Sequence, residues 1–521
     1  MSDNTISRRR IIQAMGAGLL LPGVAPAFAV GPNGRPKITD GIQAGDVTGD
    51  RALIWSRTDR PSKMIVEWDT KESFNDIRRV VGPTATTATD FTCRVDLRGL
   101  PQGQSIFYRV SFETLDDHRL SFPVLGQLRT APAQRRNIRF VWSGDTVGQG
   151  FGINPDIGGM RIYDAMRQRQ PDFFLHSGDT IYADGPIQAE LTTVEGKVWR
   201  NITTEAKSKV AETLDEYRGN YRYNLLDDNV RRFNAEVPQI WQWDDHETTN
   251  NWSDSKVLDD RYRVKDIHVL AARARQAYLE YAPMRMAGGD DAGRIYRRVS
   301  YGPLLDIFVL DMRSYRGPNS ANLQTQAGHE SAFLGASQLA WLKRELEGSK
   351  ATWKIIAADM PIGLQVPDGK GEDGRKRWEA IANGDDGEPK GRELEIADLL
   401  GHIRRKQIRN TVWLTADVHY CAAHHYSPER AAYKGFEPFW EFVAGPLNAG
   451  AFGPNALDGT FGPHVSFQKA PPKENSSPLS GFQFFGEVEI DAESEALTVS
   501  LRDLNGAAVH TQVLEKASAV S

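Results

Sequence analysis

A recurring pattern in the second part of the chain constrains its fold most strongly: short apolar runs lead repeatedly into an acidic residue. The acids in these positions are Asp145, Asp179, Asp244 with Asp245, Asp311, Asp359 and Asp417. Helical segments lie between the runs, namely Met160–Arg169, Ser337–Glu347 and Arg392–Lys406. Buried strands that alternate with helices predict an α/β sheet with helices on both faces. The acids at the carboxyl ends of such strands are expected to share one rim of the sheet.

A rim lined with carboxylates predicts a site for several metal ions. Like charges in a cleft repel one another strongly, so the cluster needs cations between its members. A single acid at a strand end has a simpler interpretation, because acids often cap the helix that follows. Individual members of the series therefore remain open to that interpretation.

The stretch from Phe173 to Gly185 shows both interpretations. Its apolar run ends at Ser177 and Gly178, and Asp179 and Tyr182 follow closely. A carboxylate and a phenol at this spacing can reach one hard metal ion. Alternatively, Asp179 caps a helix and Tyr182 packs beside it.

Two triplets place imidazoles beside these acids. His246 directly follows Asp245, and Asp417 is separated by one residue from His419. Residues i and i+2 of an extended chain share a face, so Asp417 and His419 are expected to project together. Imidazole suits a transition metal, whereas carboxylates suit hard cations.

Other polar residues near the rim receive weaker assignments. His176 is expected to point away from the rim, or else to donate a hydrogen bond to a metal ligand. The glycine-rich run 148–156 lacks the lysine of a phosphate-binding P-loop, so we expect a loop over the site with Asn154 near a metal. Cys93 and Cys421 are the two cysteines of the chain, and they are expected to be free, buried thiols.

Length and charge exclude some classes of protein. A chain of 521 residues is expected to form at least two domains. A formal net charge of −5 without a basic face argues against a nucleic-acid partner. Two cysteines in so long a chain exclude a disulfide scaffold.

Residues 1–29 are expected to be an export signal. Ser7–Gln13 resembles the twin-arginine signature, and the apolar region Ala14–Val24 follows it. Ala27 and Ala29 supply small residues at the −3 and −1 positions of a cleavage site, so cleavage is expected after Ala29. A membrane anchor is the weaker alternative, because the apolar region is short and is broken by Pro22. The expected location is the periplasm or the medium, reached through the twin-arginine translocation machinery.

Residues 30–133 are expected to form a β domain, and residues 134–521 the catalytic domain. Arg51–Arg57 and Lys63–Trp68 alternate as strands do. A turn before Tyr108 resembles the tyrosine corner of immunoglobulin-like sandwiches.

Two further expectations concern the catalytic domain. The alternating segments 482–490, 496–502 and 508–514 are expected to complete a second sheet packed on the first. The long segments 185–235 and 365–392 are expected to form a substrate lid.

The motifs GDTIY (178–182), WDDHE (243–247), LDMRSYR (310–316) and ADVHY (416–420) together resemble the PhoD-type alkaline phosphatases and phosphodiesterases. That family lies within the calcineurin-like metallophosphatases. The resemblance extends over the whole chain. It implies a two-sheet metallophosphatase sandwich flanked by helices, preceded by an immunoglobulin-like β-sandwich domain.

The resemblance also implies metal-binding roles for individual residues. Asp179 would bridge two metals. Tyr182 and His419 would bind a ferric ion. Asp245 would bind the second metal, and Asp417 would bind calcium.

Further roles concern the substrate. His246 would donate a proton to the leaving group. Arg313 would pair with a phosphate oxygen, and its alternative is a salt bridge to Asp311.

Two positions depart from the family pattern. Asp145 stands where PhoD-type enzymes can have a cysteine ligand, and we assign it as a ligand. Asp359 stands where the superfamily often has a histidine, and it is also assigned as a ligand. The implied cofactors are Fe³⁺ and Ca²⁺, with Zn²⁺ or Mn²⁺ as alternatives.

The expected activity is metal-assisted hydrolysis of phosphate monoesters or diesters. A phospholipase D-like lipid phosphodiesterase is one alternative. A non-catalytic, exported calcium-binding module is another. The combination of His246 and Arg313 argues against the binding module, because structural calcium sites need neither residue.

Overall fold

The computed structural model describes residues 34–288 and 293–517. The N-terminal strands are β1 (Ile38–Gly45), β2 (Arg51–Thr58), β3 (Ser62–Asp69), β4 (Arg78–Ala85), β5 (Thr92–Arg98), β6 (Ser105–Glu113) and β7 (Val124–Arg129). The strands that follow are β8 (Ile138–Ser143), β9 (Phe173–Ser177), β10 (Glu190–Thr192), β11 (Val198–Arg200), β12 (Gln239–Gln242), β13 (Arg297–Ser300), β14 (Leu305–Val309), β15 (Trp353–Ala357), β16 (Pro367–Lys370), β17 (Lys376–Trp378), β18 (Thr411–Thr415), β19 (Cys421–Tyr426), β20 (Phe439–Val443), β21 (Pro463–Lys469), β22 (Phe484–Ile490), β23 (Leu497–Asp503) and β24 (Ala508–Leu514). The α-helices are α1 (Arg161–Gln168), α2 (Leu214–Asn224), α3 (Asp228–Glu236), α4 (Ile267–Tyr281), α5 (Ala336–Gly348) and α6 (Glu393–Arg405).

Two large sheets form the centre of the molecule. The first sheet has the strand order β24-β23-β22-β8-β9-β12-β1-β2-β5, and the second has the order β13-β14-β15-β18-β20-β19-β21. Side chains alternate across each strand, so Phe173 and Leu175 enter the core between the sheets while Phe174 faces the helices outside. The indole of Trp142 crosses this core and donates to the carbonyl of Thr415 at 3.2 Å.

Helices cover the outer face of each sheet. Helices α1 to α4 contribute to the apolar cluster outside the first sheet, and α5 and α6 to the cluster outside the second. The predicted two-sheet sandwich flanked by helices is confirmed. The three helices predicted from apolar spacing are present as α1, α5 and α6, with ends within one or two residues of the expected positions.

The N-terminal strands form a sandwich with its own core. Sheet β4-β3-β6-β7 packs against the part of the first sheet made by β1, β2 and β5. This sandwich joins the catalytic sheet edge to edge, because Gly45 of β1 pairs in parallel with Gln239 of β12. A Cβ at Gly45 would lie 2.0 Å from the carbonyl oxygen of Pro283, so only glycine allows this approach.

Tyr108 lies in the N-terminal core on β6, as its strand position predicts. Its hydroxyl makes no hydrogen bond to the described residues, so the expected tyrosine corner is not formed. Gly126 provides space for the ring, because a Cβ there would lie 2.4 Å from Tyr108 Cζ.

The C-terminal strands occupy a different place from the one predicted. Strand β22 pairs antiparallel with β8, so β22, β23 and β24 extend the first sheet rather than complete the second. Buried Glu487 on β22 fixes this arrangement by pairing with Arg169 beyond α1 and with Arg502 on β23. Alternation in a sequence identifies a strand but not its partner.

The two segments expected to form a lid contain regular structure. Segment 185–235 contains the hairpin β10–β11 and helices α2 and α3, and both helices contribute to the core. Segment 365–392 contains the hairpin β16–β17, followed by the buried Glu379.

Both cysteines are free and buried, as predicted. Among the described residues, no helix is long and apolar enough to cross a bilayer. The expected export signal, residues 1–29, lies outside the described residues.

Candidate metal centre

The carboxyl ends of strands from both sheets supply the polar residues of the centre. In the first sheet, β8, β9 and β12 run parallel and lead into Asp145, Asp179 and the pair Asp244–Asp245. In the second sheet, β18 leads into Asp417 and His419. The chain turns sharply at these ends: φ is +70° at Asp145, +50° at Asp179, +65° at Asp417 and +57° at His419. Left-handed backbone at non-glycine residues is costly and concentrates at functional sites.

Three groups of candidate ligand atoms form a continuous row. The groups are Asp145–Asp179–His419, Asp179–Asp245–His246 and Asp244–Asp245–Asp417. Within each group the ligand atoms lie within 4.8 Å of one another. Neighbouring groups share a carboxylate, Asp179 in one case and Asp245 in the other, so ions bound along the row would be bridged.

The phenol of Tyr182 completes one end of the row. Its hydroxyl lies 2.8 Å from Nε2 of His419, and the same Nε2 lies 3.5 Å from Oδ1 of Asp145. The other ring nitrogen, Nδ1, bonds to the carbonyl of Gly450, which leaves Nε2 as the ligand atom. A Cβ at Gly148 would lie 2.6 Å from Tyr182 Cζ, so glycine is needed beside the phenol ring.

The charges of the row call for cations. Burial and the neighbouring carboxylates raise the pKa values of Asp179, Asp417 and Tyr182 well above their usual values. Oδ2 of Asp145 and Oδ2 of Asp244 are buried without a hydrogen-bond partner. Bound cations would stabilise the ionised forms and satisfy these oxygens, so the residues fit a set of metal ions.

Asp244 was not predicted as a ligand, although it was recognised as a strand-end acid. It forms the third group together with Asp245 and Asp417. The signal in the sequence was the doubled acid before His246.

At Gly178 the backbone has a φ of +93°, and a Cβ there would lie 2.5 Å from Asp244 Cβ, so glycine lets the loops after β9 and β12 meet.

His246 is oriented by an acid that the sequence analysis missed. Its Nδ1 lies 2.7 Å from Oδ1 of Asp184, and its Nε2 is directed to the row, 4.0 Å from Oδ1 of Asp245. Its backbone N–H donates to Oδ1 of Asp179 at 3.1 Å. No strand or helix marks Asp184 in the sequence, and only the folded loop brings it to His246.

Glu247 is a second residue that the sequence analysis missed. One carboxylate oxygen accepts from the Thr180 N–H at 2.6 Å, and the other accepts from the Asp244 N–H at 2.8 Å. Burial raises the pKa of Glu247 to about 7. This side chain therefore ties together the two loops that carry Asp179 and Asp244.

The structure corrects the prediction for Arg313. Its side chain is completely buried, its Nε donates to Oδ1 of Asp244 at 2.6 Å, and it also pairs with Glu379. It cannot reach a phosphate without breaking buried ion pairs. The alternative salt bridge to Asp311 is also absent, because Asp311 accepts the backbone N–H of Arg313 instead, at 3.1 Å.

Asp359 was predicted to be a metal ligand, but it lies outside the ligand groups. It belongs to none of the three groups found among the described residues. Its Oδ1 accepts from the amide of Gln242 at 3.1 Å, and its Oδ2 lies 3.5 Å from Nε of Arg313. Asp359 therefore contacts the Arg313 guanidinium of the Arg313–Asp244 pair.

The structure also shows the surroundings of three further residues near the rim, Asn154, His176 and Cys421. Asn154 caps a short turn, because its Oδ1 accepts from the Asp156 N–H at 3.0 Å. His176 packs against Trp241 and lies 3.2 Å from the hydroxyl of Thr146, outside the ligand groups. The thiol of Cys421 points to the carbonyl of Lys469 and is likewise not a member.

Comparison with known proteins decides the family. Residues 140–501 match the model of the PhoD-like phosphatase family, and residues 23–132 match that of the PhoD-like phosphatase N-terminal domain. The chain belongs to the PhoD-like phosphatase family. It is 28% identical over 507 residues to alkaline phosphatase D of Bacillus subtilis (strain 168), covering 89% of this chain and 81% of that protein.

Solved structures share the fold. A structure of PhoD superposes with a TM-score of 0.70 at 21% identity, covering 94% of this chain and 92% of the other. A purple acid phosphatase from yellow lupin (Lupinus luteus) seeds superposes with a TM-score of 0.54 at 13% identity, covering 92% and 74%. This PhoD-like phosphatase is therefore a metal-binding phosphoric ester hydrolase with the metallophosphatase fold.

Proposed function

We propose that the protein is an exported phosphatase that hydrolyses phosphate monoesters and diesters at the row of ligand groups. The observation that carries this proposal is the row itself, in which Asp179 and Asp245 are each shared by two groups and His246 is directed to the shared carboxylates. Pairs of metal ions a few ångströms apart are a recurrent means of hydrolysing phosphate esters.

The donor atoms support different ions at the two ends. Tyr182, His419 and two carboxylates suit Fe³⁺, which favours phenolate and imidazole beside hard oxygen. Asp244, Asp245 and Asp417 suit Ca²⁺, which prefers oxygen ligands. Zn²⁺ and Mn²⁺ are the alternatives. When bound, such ions polarise the phosphate and generate a nucleophile from water near neutral pH.

His246 is proposed as the proton donor to the leaving group. Burial would lower its pKa, but the carboxylates of Asp184 and Asp245 outweigh burial and raise the pKa to about 9. The ring is thus protonated at neutral pH, and Asp184 holds Nδ1 so that Nε2 delivers the proton. The side chain of His246 is 14% exposed, so an ester oxygen can approach it.

Export is proposed from residues 1–29. Replacing Arg8 and Arg9 together by lysine is expected to leave the protein inside the cell, because the twin-arginine pair is the recognised feature of the signal. Cell fractionation of the host measures this result. Unchanged export of the double variant would contradict the twin-arginine route.

One experiment tests the activity and the metals together. The purified protein, freed of metal by a chelator, is assayed with p-nitrophenyl phosphate and bis(p-nitrophenyl) phosphate after addition of Fe³⁺, Ca²⁺, Zn²⁺ or Mn²⁺, singly and in pairs. The proposal expects turnover only with metal, and most with Fe³⁺ and Ca²⁺ together. Turnover of neither ester with any ion would contradict it.

A further inference from the structure

A partly exposed lysine lies beside the carboxylate end of the row. Lys256 belongs to loop 250–258, which follows the ligands Asp244 and Asp245. Its side chain is 21% exposed, and its Nζ lies 4.0 Å from Oδ1 of Asp368. This distance exceeds that of a hydrogen bond, so the ion pair leaves the ammonium group able to bind another anion.

Asp368 is held in place next to the row. It lies on β16, and it accepts from the amide of Asn251 at 3.2 Å and from the amide of Asn319 at 2.9 Å. The backbone N–H of Asn251 donates to Oδ2 of Asp245. A single residue, Asn251, therefore connects the partner of Lys256 to a shared metal ligand.

Two positive charges lie near the carboxylate end of the row, Lys256 beside Asp368 and Arg313 beside Asp244. Arg313 has a completely buried side chain and is held by Asp244 and Glu379. Lys256 differs because its side chain is 21% exposed and its Nζ lies 4.0 Å from its carboxylate partner.

We propose that Lys256 binds an outward-facing oxygen of the substrate phosphate and favours dianionic monoesters over monoanionic diesters. This inference rests on the proposed phosphoesterase function of the same site. Lysine suits the role because its ammonium is a mobile point charge on a flexible stem and a frequent phosphate ligand. Asp368 is then a positioning residue that keeps the Lys256 ammonium group beside the row.

The test compares two esters that share one leaving group. Lys256→Met is expected to lower kcat/KM for p-nitrophenyl phosphate by about 10- to 100-fold, the value of a charge-assisted hydrogen bond, chiefly through KM. The loss for bis(p-nitrophenyl) phosphate is expected to be smaller, because that substrate carries one negative charge fewer. Lys256→Arg restores most of the monoester activity, and Asp368→Asn shifts the preference in the same direction as Lys256→Met.

Lys265→Met is the matched control. Lys265 lies on the same stretch of chain, is 53% exposed, and donates to the carbonyl of Asp259. Its replacement is expected to leave both kcat/KM values and the metal content unchanged.

Three outcomes would overturn the assignment. Equal losses of kcat/KM for the two esters would mean that Lys256 does not distinguish the dianionic from the monoanionic substrate. Unchanged kinetics with unchanged metal content would mean that it does not bind substrate. Loss of metal in Lys256→Met would mean that it only supports Asp245. Absence of wild-type turnover for both esters would instead overturn the proposed function, and this assignment with it.

Discussion

The two ends of the ligand row have different donors and different exposure. One end has Asp145 and His419 with the Tyr182 phenol, all buried. The other end has carboxylates alone, and its member Asp417 is partly exposed. A buried end with nitrogen and phenol donors suits a permanently held transition metal, whereas a more open oxygen end suits a hard ion beside arriving substrate. Under the proposed function, the buried end of the row would hold a metal ion permanently and the more open end would receive the substrate.

Removing the carboxylate shared by the first two groups should have the largest effect. Asp179→Asn keeps the size of the side chain but removes its charge. We expect metal loss from both groups and a fall in kcat/KM of about 10⁴-fold, because metal ions contribute several kcal/mol to this chemistry. Metal analysis and steady-state kinetics measure the two effects.

Asp156→Asn is the control for that variant. Asp156 pairs with Arg200 at 2.8 Å, but both side chains are more than half exposed, so the pair contributes little. Kinetics and metal content should stay at wild-type values. A full metal content in Asp179→Asn would contradict the bridging role.

His246 tests whether the middle of the row binds metal or moves a proton. His246→Ala should lower kcat by about 10²- to 10⁴-fold while metal content is retained, as expected for loss of a general acid. Asp184→Asn should have a smaller effect and should shift the alkaline limb of the pH–rate profile to lower pH, because losing the charge that faces Nδ1 lowers the pKa of the proton donor His246. A loss of metal parallel to the loss of activity would identify His246 as a ligand.

Tyr182→Phe addresses the buried end alone. Without the phenol, iron-loaded protein should lose any visible charge-transfer absorption, and its affinity for that metal should fall by about 10- to 100-fold. Tyr163→Phe is the matched control, since this buried tyrosine bonds to Thr146 at 2.9 Å and its ring packs against Phe174 and Phe233. If the iron-loaded wild type is coloured and the Tyr182→Phe variant keeps that colour, the phenolate assignment is refuted.

The strand-end pattern was sufficient to predict much of the row. Asp179, Asp245 and Asp417 were found because parallel strands bring their carboxyl ends to one rim. His419 followed from its i+2 relation to Asp417. These inferences depend on local sequence and on a general property of parallel sheets, so one sequence is enough to make them.

What the sequence could not predict depends on partners distant along the chain. Arg313 resembles a phosphate-binding residue until Glu379 is brought to it from a loop without periodicity. Asp184 acquires its role only when its loop folds beside His246. The same limit explains β22, whose alternating residues fit either sheet until β8 supplies a free edge.

Asn154 should give the smallest effect and thereby mark the boundary of the row. Its side chain accepts one backbone N–H at the start of a short turn, so Asn154→Ala should lower the free energy of unfolding by about 0.5–1 kcal/mol. Asn154→Asp retains the capping oxygen and should keep the stability of the wild type. Thermal unfolding of the metal-loaded protein measures both changes. Metal content and kcat/KM should not change in either variant, whereas a fall in metal content would restore Asn154 to the centre that its position in the sequence suggested.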